Sequence, residues 1–425
     1  MSDFAQTGLI CTLQRLNDTS AERIESELAE HAVTHPITLI LPCHGKDLRQ
    51  PALEGIIDEI AGARFLREVL ISMNGWDEET ETVARDLFAR LPQPHRILWN
   101  DGPHAVAVQG AMGSMRGAMT APMGKGYNVW AACGLVVAEA QSQVIATQDC
   151  DVVSFRRENL ARLCFAAVHP ELRYDFAKMY YSRVTDRMYG RVSRLFLTPL
   201  LQAIVRVAGH QPLLDFLQSF RYPLAGECVM TRELAAALPF SAGWGLEVGL
   251  LCEAFRRAEP RRIAQVDGGR HYDHRHQPLG DERGGLYRMS REIAVTLLTQ
   301  LCDEGLQFSP PFLEVLRASF ERESREALRR SRHLALINGL PFPQEDEQAA
   351  AVFAQALSEA GREFFNDPLA VTARNLLLRP PHRERRERGR APGREGVRGE
   401  RGGGKSINRS GDAPAHRKFP ESGCG

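Results

Sequence analysis

The chain has 425 residues, of which 43% are hydrophobic, and its 53 Lys and Arg residues are balanced by 53 Asp and Glu residues. This composition predicts a globular protein with a substantial core in one large or two ordinary domains, and the zero net charge excludes a general attraction to nucleic acid or membranes. Because it has no apolar run of about 18 residues, no secretory signal pattern and only scattered cysteines without zinc-ligand spacing, we expect a soluble cytoplasmic protein with reduced thiols.

After a polar leader over residues 1–34, which is helical from about 18 to 33, four apolar runs typical of strands alternate with helical patterns. The strand patterns cover 37–42, 67–75, 95–103 and 144–155, and the helical patterns between them cover 53–63, 78–91 and 125–141. This alternation predicts parallel βαβ units and therefore a doubly wound α/β sheet over residues 35–155. Ligands bind at the carboxyl ends of strands in such sheets, where Pro42, Asn74 and the Asp149–Asp151 pair lie.

The helical pattern over 125–141 begins in the segment GKGYNVW, residues 124–130. Small residues here let a backbone approach a phosphate, and the helix N-terminus and Lys125 both add positive potential. The segment is not a Walker A sequence, and taken alone a flexible loop is as good an interpretation.

The fourth strand pattern, VIATQDCDVVSF, ends on Asp149 and Asp151. In a strand these two side chains share one face while Cys150 points to the other and packs in the sheet. Paired carboxylates repel one another unless a cation lies between them or one stays protonated, and they supply the oxygen ligands that divalent metals prefer. An ordinary acidic strand end would have the same sequence.

Four arginines follow over residues 180–200, in YYSRVTDRMYGRVSRLFLTPL. Arg183, Arg187, Arg191 and Arg194 are spaced by three and four residues, which predicts one basic helical face that could clamp an anion or pair with an acidic helix. Gly190 favours a local break that exposes backbone amides beside Arg191.

Two further clusters lie in the region 156–305, which mixes helical patterns with Gly-rich turns. Glu247 stands in the apolar, Gly-rich segment GWGLEVGLL, where a carboxylate needs a polar or ionic partner. His271, His274 and His276 are close together in DGGRHYDHRHQ, a composition that suits a metal or phosphate site, although a solvated loop is also compatible.

The C-terminal part divides in two. Residues 306–379 have a charged helical pattern, and residues 380–425 are rich in Arg, Gly and Pro and poor in large apolar side chains. The latter segment buries too little apolar area to offset its ordering entropy, so we expect a disordered basic tail.

Taken in order, GKGYNVW, QDCD, YGRVSRL, FRYPLAGE, GWGLEVGLL and DHRHQPL resemble the glucosyl-3-phosphoglycerate synthase family, from about residue 37 to about residue 301. The resemblance implies a GT-A fold, with a mixed doubly wound sheet, a helical acceptor region and a helical C-terminal extension. It implies a retaining glucosyltransferase that moves glucose from a nucleoside-diphosphate glucose to D-3-phosphoglycerate. In that case 35–155 is the nucleotide-sugar-binding region, and 156–305 binds the acceptor and catalyses the reaction.

The resemblance also implies roles for individual residues. The residues that would hold Mg2+ or Mn2+ are Asp149, Asp151 and His274. Asp151 and Glu247 would be catalytic, and Glu247 would contact the glucose or the acceptor hydroxyl. Retention without an evident carboxylate nucleophile suggests attack from the leaving-group face. The residues implied for the donor are Pro42, Asn74, Lys125, Asp149 and Asp151, and those implied for the acceptor are Gly190, Arg191 and Ser193.

Departures from the family pattern keep alternatives open. Lys46 stands where an acidic residue often contacts the nucleobase. As the sugar donor, UDP-glucose is therefore favoured only slightly over ADP- or GDP-glucose. A related transferase could use mannose or free glycerate. A protein that binds nucleic acid through its Arg/Gly tail is the non-enzyme alternative, although we expect neither a nucleic-acid nor a membrane partner. A Gly/Ala/Met-rich loop from His104 could cover the donor, and the resemblance suggests a homodimer.

Overall fold

The computed structural model describes residues 6, 8–16, 21–107, 124–241, 243–271, 278–281 and 284–366, together with the backbone of 375–377. The side chains of 270 and 271 are outside this description. Residues Met1–Pro380 form one compact unit. Most of the predicted covering loop, the predicted metal ligand His274 and the predicted tail lie outside the described residues. Among the helices of the described ranges, none combines the length and apolar character needed to cross a bilayer.

The strands form a mixed sheet with one additional pair. In chain order they are β1 (Cys11–Leu13), β2 (Ile37–His44), β3 (Leu66–Asn74), β4 (His95–Trp99), β5 (Val144–Thr147), β6 (Phe176–Arg183), β7 (Cys228–Thr231), β8 (Pro239–Ser241), β9 (Ile263–His271) and β10 (Asn375–Leu377). The main sheet has eight strands in the order β1-β9-β6-β7-β5-β2-β3-β4, and β8 pairs with β10. Strand β7 is antiparallel to β5 and β6, whereas the other pairings in the main sheet are parallel.

The helices cover both faces of this sheet. They are α1 (Ala21–Ala32), α2 (Pro51–Ala61), α3 (Glu78–Phe88), α4 (Lys125–Glu139), α5 (Arg157–Val168), α6 (Thr198–Ala208), α7 (Pro212–Gln218), α8 (Arg232–Ala237), α9 (Leu246–Arg257), α10 (Gly285–Asp303), α11 (Pro310–Ile337) and α12 (Gln344–Asn366). Short turns of 3-10 helix span Gly45–Arg49 and Pro260–Arg262, and a π-helix spans Val192–Leu197.

Alternation along the central strand places the core on both faces. Leu39 and Leu41 of β2 pack with α1, α2, α3 and α5, whereas Ile40 faces the opposite core, which contains α4 and the helices from α6 to α12. This two-sided burial explains why β2 is a nearly continuous apolar run. The predicted doubly wound α/β arrangement, with its four strands and alternating helices, is therefore confirmed.

The parallel register brings several predicted positions to one edge of the sheet. His44 at the end of β2 pairs with Asn74 at the end of β3, and Ile40 pairs with Thr147 at the end of β5. The carboxyl ends of three adjacent strands therefore open at the same place, as expected for a ligand site in an α/β sheet.

Three predictions about local structure are wrong. Strand β5 ends at Thr147, so Asp149 and Asp151 lie in a turn after the strand and not on one strand face. The four arginines do not share a helix, because Arg183 ends β6 and Arg187 lies in the loop that follows. The helical pattern up to residue 379 is interrupted by β10, whose backbone pairs with β8.

Candidate active site

A cavity of about 630 Å3 opens at the carboxyl edge of the sheet. Its walls come from the ends of β2 and β3, the start of α4, the turn after β5, the loop after β6 and the first turns of α9 and α10. Every predicted site residue that the structure describes lines it, namely Pro42, Asn74, Lys125, Asp149, Asp151, Gly190, Arg191, Ser193 and Glu247. The sequence therefore identified side chains that meet at one place.

Lys125 links two acidic side chains at the centre of this cavity. Its Nζ lies 2.7 Å from Oδ1 of Asp149 and 2.8 Å from Oε1 of Glu247. Burial alone would lower the pKa of Lys125, but the charges of Asp149 and Glu247 and the hydrogen bonds to them raise this pKa well above its usual value. Lys125 is therefore a fixed cation between two carboxylates from different elements.

Asn128, on the first turns of α4, holds that helix against the strand ends. Its side-chain amide donates to the carbonyl of Cys43 at 3.0 Å and to Oδ1 of Asn74 at 3.2 Å. Its Oδ1 accepts from the amide of Asn100 at 2.8 Å. Asn128 is 2% exposed, so these bonds satisfy a buried amide and fix Lys125 near the strand ends. Asn128 is not among the predicted site residues, although a polar residue inside the apolar run GYNVW was a usable signal.

Gly226 forms the wall behind Asp149. A Cβ atom at this position would overlap the carboxylate of Asp149, and the Gly226 carbonyl accepts from the Thr147 hydroxyl at 2.8 Å. The antiparallel strand β7 begins two residues later and pairs with β5, which places the glycine against the carboxylate. The motif PLAGE therefore brings the backbone of Gly226 close to the side chain of Asp149. The composition of the motif did not show which side chain this would be.

The loop after β2 closes the cavity beside the strand ends. His44 Nδ1 accepts from the amide of Lys46 at 3.1 Å, and Asp47 Oδ2 accepts from the amide of His44 at 2.8 Å. The thiol of Cys150 lies 3.5 Å from Oδ2 of Asp47. Cys150 is buried, as predicted, but it packs in the turn between the two aspartates and not within a strand.

The loop after β6 forms the opposite wall. Gly190 has a φ of 73°, in the left-handed region that favours glycine, and the helical residues Arg191 and Ser193 follow it. The predicted break at Gly190 is confirmed. Deeper in the wall, Arg183 donates to the hydroxyl of Tyr222 at 3.2 Å. Burial raises the pKa of Tyr222, so its phenol stays neutral at physiological pH.

A third part of the wall comes from α10 and the segment before α9. The backbone amide of Trp244 donates to Oε2 of Glu292 at 2.9 Å, while Arg288 donates to Oε1 of the same carboxylate at 2.7 Å. Trp244 and Arg288 both line the cavity. Glu292 therefore ties the segment before α9 to α10.

The carboxylate oxygens in this cavity suit a hard divalent cation. Asp149 and Asp151 both line the cavity and offer carboxylate oxygens, the ligands that Mg2+ and Mn2+ prefer. Within the described ranges, no group of three or more His, Cys, Asp or Glu side chains is arranged to hold a metal ion. The predicted set needs His274, which lies in the undescribed segment 272–277, so the carboxylate part alone can be placed.

Comparison with curated proteins gives similar sequences of one kind. The chain is 36% identical over 381 residues to a glucosyl-3-phosphoglycerate synthase from Persephonella marina, which covers 89% of this chain and 94% of the relative. It is 34% identical over 356 residues to the enzyme of the same name from Methanococcoides burtonii, which covers 82% of this chain and 87% of the relative. No protein-family model matches the chain.

Solved structures give the same result. A crystal structure of glucosyl-3-phosphoglycerate synthase from Mycobacterium tuberculosis with Mn2+, UDP-glucose and phosphoglyceric acid aligns with a TM-score of 0.52 and 25% identity, covering 71% of this chain and 89% of that one. The same enzyme with Mg2+ and UDP aligns with a TM-score of 0.50 over the same shares of both chains.

Proposed function

We propose that this chain, which belongs to the glucosyl-3-phosphoglycerate synthase family, transfers glucose from UDP-glucose to 3-phosphoglycerate and so forms glucosyl-3-phosphoglycerate. One observation carries the proposal. A single cavity joins the carboxylates and the lysine at the strand ends to the Gly190 turn, with Arg191 and Ser193 beyond it. The cavity thus has a side suited to a metal-bound diphosphate and a side suited to a second anion.

On the donor side, Asp149 and Asp151 would hold Mg2+ or Mn2+, with His274 as the proposed third ligand. A cation bound there supplies Lewis-acid neutralisation of the negative charge on the departing nucleoside diphosphate. Lys125 stays protonated between its two carboxylates and can donate to the diphosphate. Pro42 and Asn74, at the ends of β2 and β3, border the space that we assign to the nucleoside.

Glu247 lines the same cavity, beside Lys125. Its side chain is 10% exposed and accepts from Lys125, which keeps it oriented toward the cavity. We assign Glu247 to the glucose or to the acceptor hydroxyl. We infer a retaining reaction in which the acceptor attacks from the leaving-group face and the departing phosphate accepts the proton. A covalent glucosyl adduct trapped on Glu247 would contradict this inference.

On the acceptor side, the forked guanidinium of Arg191 suits a phosphate or carboxylate group. Ser193 and the backbone at Gly190 can add hydrogen bonds from the same turn. These positions lie in the region 156–305 and those of the donor lie mainly in 35–155, so we propose that the two regions divide the substrates between them. We also propose a cytoplasmic location, because the described cysteines are all unpaired thiols.

A donor and acceptor screen tests the proposed function. Release of nucleoside diphosphate is followed with UDP-, ADP- or GDP-glucose and 3-phosphoglycerate, with and without Mg2+, and UDP-mannose and free glycerate are included for comparison. We expect metal-dependent release from UDP-glucose with 3-phosphoglycerate as the preferred acceptor. Equal turnover of free glycerate would contradict the acceptor assignment, and a preference for a mannose donor would contradict the donor assignment.

A further inference from the structure

Asp346 reaches the acceptor side of the cavity from a distant part of the chain. It lies in the first turn of α12, 155 residues after Arg191, and its side chain is 1% exposed. A carboxylate buried to this extent must be balanced by charge and hydrogen bonds. The partners of Asp346 are the guanidiniums of Arg191 and Arg194.

The bond to Arg191 constrains how this side chain faces the cavity. Its Nε donates to Oδ1 of Asp346 at 2.7 Å, and its Nη2 lies 3.7 Å from Oε2 of Glu345, a half-exposed side chain. The bond at Nε constrains the plane of the guanidinium, and the terminal nitrogens, of which Nη2 also lies near the half-exposed Glu345, remain able to donate to an anion in the cavity.

The bond to Arg194 connects Asp346 to the backbone of the acceptor wall as well. Arg194 Nη2 donates to the second oxygen of Asp346, while its Nε donates to the carbonyl of Tyr189 at 3.1 Å and its Nη2 to that of Met188 at 3.3 Å. These carbonyls lie just before Gly190, whose left-handed φ of 73° sets the direction of the turn. One carboxylate is thus connected to the side chain and to the backbone of the acceptor wall.

The charges of this cluster are balanced. The two guanidiniums carry two positive charges, the buried carboxylate of Asp346 carries one negative charge, and Glu345 beside Arg191 carries a second. Because Glu345 is half-exposed, solvent screens its charge more than that of Asp346. Burial lowers the pKa of Arg194, and the charge of Asp346 opposes that change. The pairing therefore offsets part of the cost of burying Arg194.

We propose that Asp346 is a positioning residue for acceptor binding, and that α12 is for this reason part of the acceptor site. Asp346 does not line the cavity, and it acts through Arg191 and through the turn at Gly190. This proposal rests on the function proposed above, because it takes the anion held by Arg191 to be that of 3-phosphoglycerate.

The test is the substitution Asp346→Asn in the full-length chain, which removes the charge and keeps the shape. We expect the KM for 3-phosphoglycerate to rise by about tenfold to a hundredfold, while the KM for UDP-glucose stays within about twofold. The matched control is Glu323→Gln on α11. Glu323 is also buried, and it pairs with Arg206 of α6, away from the cavity. It should lower the melting temperature without raising the KM for 3-phosphoglycerate.

A second variant covers the case in which Asp346→Asn fails to fold. Asp346→Glu keeps the charge but moves the carboxylate by one methylene, so we expect a folded protein whose KM for 3-phosphoglycerate is still raised. Each substitution is also combined with Arg191→Lys. Because Asp346 acts partly through Arg191, the two substitutions together should raise the KM for 3-phosphoglycerate by less than the product of their separate effects. An effect equal to that product would show that Asp346 acts independently of Arg191.

The outcomes separate this proposal from the proposed function. If the unmodified chain does not turn over UDP-glucose and 3-phosphoglycerate, the proposed function is wrong. If it does, and the folded Asp346 variants have an unchanged KM for 3-phosphoglycerate, the positioning role alone is wrong. A loss of melting temperature with no selective change in KM, as expected for Glu323→Gln, would also overturn it.

Discussion

The two sides of the cavity are built in different ways. On the donor side, the charged centre joins Lys125 at the start of α4 to Asp149, 24 residues later, and the surrounding positions are the ends of adjacent parallel strands. On the acceptor side, Arg191 is held by Asp346, which is 155 residues away in the sequence. The arrangement of the donor side follows from the sheet topology. The arrangement of the acceptor side depends on the packing of helices that follow the main sheet in the chain.

This contrast explains where rigidity comes from on each side. On the donor side, buried amides and the close contact of Gly226 with Asp149 add to the ion pairs of Lys125, so small steric changes should be costly there as well as changes of charge. On the acceptor side, ion pairs hold Arg191, so changes of charge and of fork geometry should be the costly ones. Five predictions follow this division from the largest expected effect to the smallest.

The largest effect is expected for Asp151→Ala on the donor side. If this carboxylate holds the divalent cation, its loss should lower kcat/KM by about a thousandfold, because the charge on the leaving diphosphate would no longer be neutralised. The assay is nucleoside diphosphate release at saturating Mg2+. Asp58→Ala, which removes a carboxylate exposed on α2, is the control and should change turnover by less than about twofold. Unchanged turnover in Asp151→Ala would disprove the metal assignment.

Lys125→Met should destabilise the donor side by about 3 kcal/mol, because it leaves the carboxylates of Asp149 and Glu247 buried without their counter-charge. The pKa of Lys125 is raised in the folded state, so its contribution is complete below its usual value of about 10.4 and is lost only as the pH rises through the higher folded-state value. The difference in unfolding free energy between the two proteins, measured by urea denaturation without metal, should therefore be constant from about pH 6 to 9. A difference that shrinks within this range would show that the lysine titrates there.

Gly226→Ala tests the steric side of the contrast. The added methyl would overlap the carboxylate of Asp149, so we expect kcat/KM to fall by about a hundredfold through displacement of that side chain. Gly55→Ala on α2 is the matched control, because a Cβ there has no atom within 4 Å. That control should keep full activity and gain about 0.5–1 kcal/mol of stability as an alanine within a helix. Equal activity in the two variants would mean that Asp149 has room to move.

Arg191→Lys tests the acceptor side by keeping the charge and removing the fork. A lysine cannot form two parallel bonds to an anion, so the KM for 3-phosphoglycerate should rise by about tenfold with little change in the KM for UDP-glucose. Arg187→Lys is the control, since Arg187 lies in the same loop but does not line the cavity. An equal rise in the control would indicate a general effect of replacing arginines in this loop and not a contact of Arg191.

The same contrast decides what the sequence could predict. Strand patterns and the ends of β2, β3 and β5 were sufficient to bring Pro42, Asn74 and Asp149 together, because parallel strands have their carboxyl ends at one edge. The arginine spacing suggested one helical face, yet a strand end and a loop precede Gly190. Spacing alone does not show where a helix begins, so the predicted helical face is correct for Arg191 and Arg194 and wrong for Arg183 and Arg187.

Asp346 had no sequence signal of its own. It stands in QEDEQAA, at the start of a charged helix where acidic residues are common and normally solvated. Its burial results from the packing of α12 against the π-helical segment that follows Arg191, a long-range contact that periodicity does not encode. Gly226 was likewise visible only as part of a Gly-rich turn, because its role depends on which side chain the antiparallel strand β7 brings next to it.

The smallest effect is expected from removing the residues after Pro380. None of the described residues that line the cavity comes from this segment. The shortened chain should therefore keep its kcat/KM within about twofold. The Arg/Gly composition of this segment is also the basis of the nucleic-acid alternative, since such segments bind single strands through charge and stacking. Turnover and binding to a single-stranded oligonucleotide are therefore measured on both lengths of chain. A shortened protein that loses oligonucleotide binding but keeps turnover assigns that binding to the segment and leaves the transferase site intact, whereas a loss of turnover would require the segment to contribute to one of the two sides.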